Sequence, residues 1–261
     1  MRQLIPVVVD PVDPYEVYAD VPAGTDRPGV RLNMIASLDG ATSVDGLSGA
    51  LGGPADHRVF SVLRSVTDMV LVAAGTMRAE GYGPAELPAE AQDARRRAGQ
   101  TPVPAIAVLS RTCSLDWKSR FFTAATVRPL VVTVADAPEA HRARAAEVAD
   151  VVIAGERDVD LHGALVALGG RGARSVLAEG GPGLNAQLAG AGLLDELCLT
   201  LSPSVVGGDS KRIVSGPSLD PACPWHLASL CEDDGFLLLR YRAPGAAARR
   251  NVSASHVTVP T

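Results

Sequence analysis

The sequence predicts an α/β fold: a mixed, mostly parallel sheet flanked by helices, with an antiparallel C-terminal hairpin. Three observations predict it. Short apolar runs recur along the chain ("MVLVA", "PAIAVL", "PLVVTV", "SVLAE"), as in strands covered on both faces. Helix-like segments alternate with them. Near the end, "HLASLCEDDGFLLLRYR" holds two strand-like runs joined at Asp234-Gly235, a hairpin turn pair.

In order, "VRLNMIA" (30–36) reads as the first core strand. It stops in "SLDG", and a second acidic glycine pair, Asp45-Gly46, follows closely, which suggests a loop shaped around something. "PADHRVFSVLRSV" (54–66) reads as a helix. Val59, Val62, Leu63 and Val66 form one apolar stripe, and Pro54 takes the favoured first position. Strands at 69–73, 104–109 and 129–134 precede an Ala/Arg-rich helix near 137–148. Then come a short strand "VVIA", a helix near 159–169, the strand 175–179, a helix after "GGPGLNAQL" and the strand 194–203. Residues 1–28, with five prolines, read as an extended arm; 28–243 read as one domain, and 244–261 as a disordered tail.

Composition narrows the function. With 47% hydrophobic and 20% charged residues, the 261-residue chain is globular and can bury a sizeable core. A net charge of −5 argues against a nucleic-acid binder. No apolar run approaches a membrane span, and the N-terminus is not a signal peptide. The four cysteines form no C-x-x-C pair, so no metal or disulfide framework is expected, and a cytoplasmic setting is the simplest. Lys118 and Lys211 are the only lysines.

Four stretches could carry chemistry. Ligands of open α/β sheets bind outside the carboxyl ends of the strands. One strand there runs into Ala74-Gly75-Thr76, either a ligand loop or a Thr-capped turn. Another runs into Glu179-Gly180-Gly181-Pro182-Gly183 and a helix. Gly181-x-Gly183-x-x-Ala186 matches the Ala-ended dinucleotide fingerprint, although no acid follows about 20 residues on. The helix N-terminus would attract phosphate, or the glycines only turn the chain. Ser110 and Arg111 follow a third strand; the arginine is either solvated or meets an extra 2′-phosphate. Asp56 opens the 54–66 helix beside Gly52-Gly53. It is a dipole partner there, or, in a dry pocket, holds the amidine edge of a heterocycle or supplies a proton. The P-loop, H-E-x-x-H, G-x-S-x-G and zinc-deaminase signatures are absent.

Taken in order, "SLDG", the helix ending "VLRSVTD", "MVLVAAGT", "LAEGGPGL" and "AGLLDELCLTLSPSVVGG" resemble the riboflavin-pathway reductase family. This is the C-terminal domain of bifunctional deaminase-reductases, with a dihydrofolate-reductase-like, three-layer fold. The resemblance spans about residues 28–243. It implies a homodimer, NADPH as cofactor, and reduction of 5-amino-6-(5-phosphoribosylamino)uracil, a ribosylamino sugar opening to a ribitylamino one. By matching motifs it implies that Gly75, Thr76, Glu179, Gly180, Gly181 and Pro182 cradle the dinucleotide, with Thr42, Ala74, Gly183 and Leu184 beside them. Ser110 and Arg111 would take its 2′-phosphate. Ser37 and Asp39 would lie beside nicotinamide and substrate, with Asn33 pointing into the same pocket.

Two departures stand out. No deaminase domain precedes the reductase, so only the reduction is expected. The family's G-T-x-x-x-D…P-x-L-x-x-R reads here "GTMRAEGYGPAELPAE": Glu80 replaces the acid, and no arginine follows until Arg95. That fits a stand-alone subgroup resembling reducers of dihydrofolate, in which Asp56 would bind the 2-amino and N3 edge of a pterin. The expectation is an NADPH-dependent reductase of a pyrimidine or pterin. Asp56 or Asp39, buried and with a raised pKa, would orient the ring and assist protonation, and Asn33, Ser37 and Asp56 would contact substrate. The alternative from another class is a protein that binds NADPH without turnover.

Overall fold

A computed structural model describes residues 1–219 and 221–250. Twelve strands and eight α-helices follow one another as β1 (Arg2–Ile5), α1 (Pro14–Tyr18), β2 (Asp20–Ala23), β3 (Gly29–Ala36), α2 (Pro54–Val66), β4 (Met69–Ala73), α3 (Ala74–Ala79), α4 (Ala89–Arg97), β5 (Ala105–Leu109), α5 (Arg120–Thr123), β6 (Leu130–Thr133), α6 (Glu139–Val148), β7 (Asp150–Ile153), α7 (Leu161–Gly169), β8 (Ser175–Ala178), α8 (Pro182–Gly190), β9 (Glu196–Leu201), β10 (His226–Asp233), β11 (Phe236–Arg242) and β12 (Ala247–Arg250).

Ten strands form one sheet in the order β1-β10-β11-β9-β3-β8-β4-β5-β6-β7. From β9 to β7 every neighbouring pair is parallel. β11, β10 and β1 add on antiparallel. This is the mixed, mostly parallel sheet with an antiparallel C-terminal hairpin expected of a dihydrofolate-reductase-like chain. The parallel strands are apolar on both faces because helices cover both. On one face Val70, Val72, Val108 and Leu177 pack against α1, α2 and α6. On the other, Val30, Leu32, Leu71 and Val176 pack against α7 and α8. At the hairpin turn Asp234 and Gly235 both have positive φ, 51° and 81°, as a two-residue type I′ turn requires.

The ends of the chain differ from expectation. The first 28 residues are not an extended arm: β1 joins the sheet edge against β10, and α1 packs Val17 and Tyr18 into the core. Pro14 is no obstacle, since it begins α1 behind the Asp13 cap. Part of the tail read as disordered, Ala247–Arg250, is strand β12, paired with β2. Residues 251–261 of that tail lie outside the described residues. A buried charge cluster fastens this corner. Arg31 of β3 pairs with Glu196 of β9, and Arg240 of β11 bridges Glu196 and Asp20 at 2.7 Å each. Breaking such a cluster leaves a buried charge without compensation, which accounts for polar residues inside otherwise apolar strands.

Candidate active site

Because β9, β3, β8, β4 and β5 run parallel, their carboxyl ends share one edge of the sheet. Five loops meet there in spatial order: 202–218 after β9, 37–53 after β3, 179–181 after β8, Ala74-Gly75-Thr76 after β4, and Ser110-Arg111 after β5. Three strand spacings, about 14 Å, separate Ser37 from Ser110 across this edge.

The loop after β3 is shaped by its own polar groups. The Ser37 hydroxyl donates to Asp39 and accepts the Ala41 N–H at 2.9 Å. Asp39 in turn accepts the N–H of Gly207 at 2.6 Å and of Val206 at 3.1 Å. The Ser37 hydroxyl and then these N–H groups hold its carboxyl down at about 2, and the side chain is exposed. The structure therefore corrects the reading of Asp39 as a buried carboxyl of raised pKa: it is an ionised tether between two loops. The Ser37 proton is committed to that tether. The second acidic glycine pair makes a tight turn, with Asp45 and Gly46 at φ 49° and 82° and Val44 bridged to Leu47.

Asp56 has the other environment. Burial pushes its carboxyl up, opposed by a hydrogen bond from the Thr200 side chain and by His57. Thr200 is buried on β9, in register with Ile35 of β3. Asn33 is in register with Cys198, two residues before Thr200, so it faces the same side of the sheet as Thr200. Asn33 is half-buried, and among the described residues its amide has no hydrogen-bond partner. A Cβ on Gly52 would lie 3.3 Å from both Asp56 Oδ2 and His57 Nε2, and one on Gly53 would strike the Phe236 ring at 2.7 Å. The glycine pair lets the backbone pass close to Asp56 and the Phe236 ring.

Several of the residues expected to cradle a dinucleotide meet at the ends of β4 and β8. The Ala73 N–H donates to the Gly180 carbonyl at 2.8 Å, joining the loops after β4 and β8. A Cβ on Gly181 would sit 2.4 Å from Thr76 Oγ1. Glycine is required there by contact rather than by dihedral freedom. Nothing lies within 4 Å of a Cβ placed on Gly75 or Gly183, so open space faces both. Gly181 caps α8 without a side-chain bond, Pro182 starts it, and Leu184 anchors it in the core. A nine-residue helix with uncapped N–H groups suits a pyrophosphate. Asn185 Oδ1, fully buried on α8, has no hydrogen-bond partner among the described residues. The Glu179 carboxylate faces Arg64 instead, at 2.8 and 2.7 Å, and accepts the Tyr82 hydroxyl at 2.9 Å. It braces the glycine loop against α2, and the carboxylate is committed to these internal partners. Ser110 is buried at the end of β5, and Arg111 is exposed with no ion-pair partner among the described residues. Ala74 opens α3 and is buried.

Sequence reasoning missed the 202–218 strap, which binds the loops on both sides of the site. Ser210 Oγ accepts the Thr42 N–H at 3.1 Å, and the Thr42 hydroxyl donates to the Lys211 carbonyl at 2.9 Å. Asn185 Nδ2 donates to the Ile213 carbonyl at 2.7 Å, and the Ser215 N–H to that of Pro182 at 3.1 Å. The Gly207-Gly208 pair, with φ 71° and 69°, was the available signal. Glu80 accepts the Ser48 N–H at 3.0 Å, pinning the 37–53 loop to α3. Arg95 is buried and donates to the carbonyls of Thr67 at 2.6 Å, Ser65 at 2.9 Å and Thr101 at 2.9 Å, so it caps the end of α2. Among the described residues no cluster of metal-ligating side chains occurs, and no helix is long and apolar enough to cross a membrane.

Comparison with known proteins agrees with this geometry. Two curated relatives carry the name 2,5-diamino-6-ribosylamino-4(3H)-pyrimidinone 5′-phosphate reductase. The one from Archaeoglobus fulgidus is 31% identical over 199 residues, 76% of this chain and 90% of the relative. The one from Methanothermobacter thermautotrophicus is 32% identical, over 74% and 87%. The crystal structure of a pyrimidine reductase-like protein from Corynebacterium diphtheriae superposes with a TM-score of 0.78 at 26% identity, covering 89% of this chain and 98% of that one. The model of the RibD C-terminal domain matches residues 28–238, which takes in all five loops of the site. On that match and these relatives, the chain belongs to the RibD C-terminal domain family.

Proposed function

We propose that the protein reduces a 5′-phosphorylated ribosylaminopyrimidine with NADPH, opening the sugar to the ribitylamino form. The observation that carries this reading is Asp56, a carboxyl desolvated at the start of α2 and hydrogen-bonded to Thr200, whose strand pairs with the carboxyl end of β3. A carboxylate there accepts two N–H groups at once from the N3–H and 2-amino edge of a pyrimidinone. The names of the two archaeal relatives carry that edge, since their substrate keeps its 2-amino group. In a uracil the same position is a carbonyl, which would face the carboxylate acceptor to acceptor. We therefore take the 2,5-diaminopyrimidinone as the preferred substrate.

The residues that would hold NADPH are Gly75, Thr76, Gly180, Gly181, Pro182 and Gly183 at its pyrophosphate, and Ser110 and Arg111 at its 2′-phosphate. The open space at Gly75 and Gly183 and the uncapped α8 N-terminus fit that group. When bound, NADPH supplies the hydride for the sugar C1′, whose ring oxygen leaves and takes a proton. The chain's share is positioning. Asp56 fixes the pyrimidine ring, Asn33 offers an amide from the same face of the sheet, and the tethered 37–43 loop closes the side toward solvent. A pterin presents the same N3–H and 2-amino edge, so Asp56 supports a second activity on dihydrofolate.

Steady-state NADPH oxidation tests the reading with the diaminopyrimidinone phosphate, its uracil counterpart and dihydrofolate. The diaminopyrimidinone is expected to give the highest kcat/KM, with the uracil at least about tenfold lower. A higher kcat/KM with dihydrofolate would reverse the assignment. Tight NADPH binding with no turnover of any of the three would make the protein a binding protein.

A further inference from the structure

We propose that Lys211 and Arg212, on the strap after β9, anchor the substrate's phosphate. The inference rests on the reading of the substrate as a phosphorylated pyrimidine. Such a substrate brings a dianion to the site, and no metal-ligating cluster among the described residues could meet it. Basic side chains suit that dianion best.

Three other arginines near the site are already committed, and two lie away from the loop after β3. Arg64 is spent on Glu179, Arg58 on Asp233, and Arg95 on backbone carbonyls at the end of α2. Arg78 follows β4, which β8 separates from β3. Arg111 lies at the far end of the site, after β5.

Lys211 and Arg212 are both exposed, and among the described residues neither has an ion-pair partner. Their backbone is nonetheless fixed on both sides. The Lys211 carbonyl takes the Thr42 hydroxyl at 2.9 Å, and the Ile213 carbonyl takes Asn185 Nδ2 at 2.7 Å. On the strap these bonds use main-chain carbonyls only. They hold the backbone of two cationic residues between the loop after β3 and α8. Asp209 is the single acid in 203–218, so the strap keeps a net positive charge. One of the chain's two lysines stands here, in an acidic protein, next to the loop after β3.

The cofactor's phosphates share this chemistry, and the test separates them. Lys211→Gln, Arg212→Gln and the double variant are assayed on the full chain with the phosphorylated substrate and with its dephosphorylated form. NADPH affinity is read by fluorescence titration. The double variant is expected to raise KM for the phosphorylated substrate about ten- to hundredfold, the worth of one to two charge-assisted hydrogen bonds. Its kcat, its KM for the dephosphorylated form and its NADPH Kd stay near wild type, and Lys211→Arg restores much of the loss. Equal KM values in variant and wild type, or a loss confined to NADPH binding, overturns the proposal while leaving the reductase reading intact. If the wild type turns over neither form, the reductase reading fails, and calorimetry with inorganic phosphate decides the anchor separately. Binding by the wild type that the double variant loses supports it; no binding, or equal binding, overturns it.

Discussion

Asp39 accepts the N–H of Gly207 at 2.6 Å, tying the loop after β3 to the strap after β9 across 168 residues of sequence. A carboxyl held at about 2 cannot supply a proton near neutrality. Asp39→Ala is expected to free the Val206 and Gly207 amides, speeding their hydrogen exchange. It should lower kcat/KM by about two- to tenfold, the worth of one exposed hydrogen bond, with little change in Tm. The sign with pH follows from linkage. The folded carboxyl lies below its ordinary value, so the tether is complete above pH 4, roughly, and is lost as pH falls through about 2. NMR titration of the carboxyl checks this; complete loss of kcat at every pH in Asp39→Asn would instead make it catalytic.

Asp56 predicts the opposite balance of stability and activity. Burial disfavours its charged form, so the ionised carboxylate costs the empty protein stability at neutral pH. Asp56→Asn is expected to raise the Tm of the empty protein, by about 2–4 °C for each kcal/mol relieved. It should cut turnover at least about a hundredfold, because an amide meets two N–H donors with one acceptor and one clash, and leave NADPH affinity little changed. Thr200→Val removes the hydrogen bond that opposes the upward shift. The acidic limb of the kcat/KM profile should then move to higher pH, and an unmoved limb would detach Thr200 from Asp56.

Gly181 and Thr76 should behave as a coupled pair. Gly181→Ala places a methyl 2.4 Å from Thr76 Oγ1, and the β-branched threonine has few rotamers to escape into. Weaker NADPH binding and a lower Tm are expected. Adding Thr76→Ala should recover the stability but not the binding, a double-mutant cycle with coupling of about 1 kcal/mol or more. Additive effects in calorimetry would argue against the contact.

Glu179→Gln should act through the fold. It leaves the Arg64 guanidinium without its bidentate partner in a nearly closed site, at a cost of about 3–5 kcal/mol. Thermal unfolding measures that cost. An undiminished Tm would return Glu179 to the ligand side of the loop.

The local levels of the structure were legible in the sequence because their causes are local. Pro54 and the stripe at Val59, Val62, Leu63 and Val66 mark α2, whose bounds are those expected. The continuous apolar run at Met69–Ala73 marks a strand buried on both faces. The glycine loops were placed at the right strand ends. The roles of the acids were not legible, because each depends on a partner far away in sequence. Glu179 meets Arg64 across 115 residues, and Asp39 meets Val206 across 167. Both carboxyls sit in motifs that resemble ligand loops, yet one braces a helix and the other ties two loops. The N-terminal strands were missed for the same reason: among the described residues β1 pairs with no other strand before β10, beyond the single bridge from Gln3 to Val9, and β2 with none before β12.

That last pairing has a consequence for how the protein is made. Synthesis proceeds from the N-terminus, and domains tend to fold as they emerge. The parallel strands β3 to β8 can assemble while the chain is still growing. Asp20–Ala23 must wait for Ala247–Arg250, and the Asp20 carboxylate waits for Arg240 and Arg242. β2 is thus made early in this chain and paired late, and until Ala247–Arg250 emerges its backbone N–H and C=O groups stay open to any other strand that can pair with them.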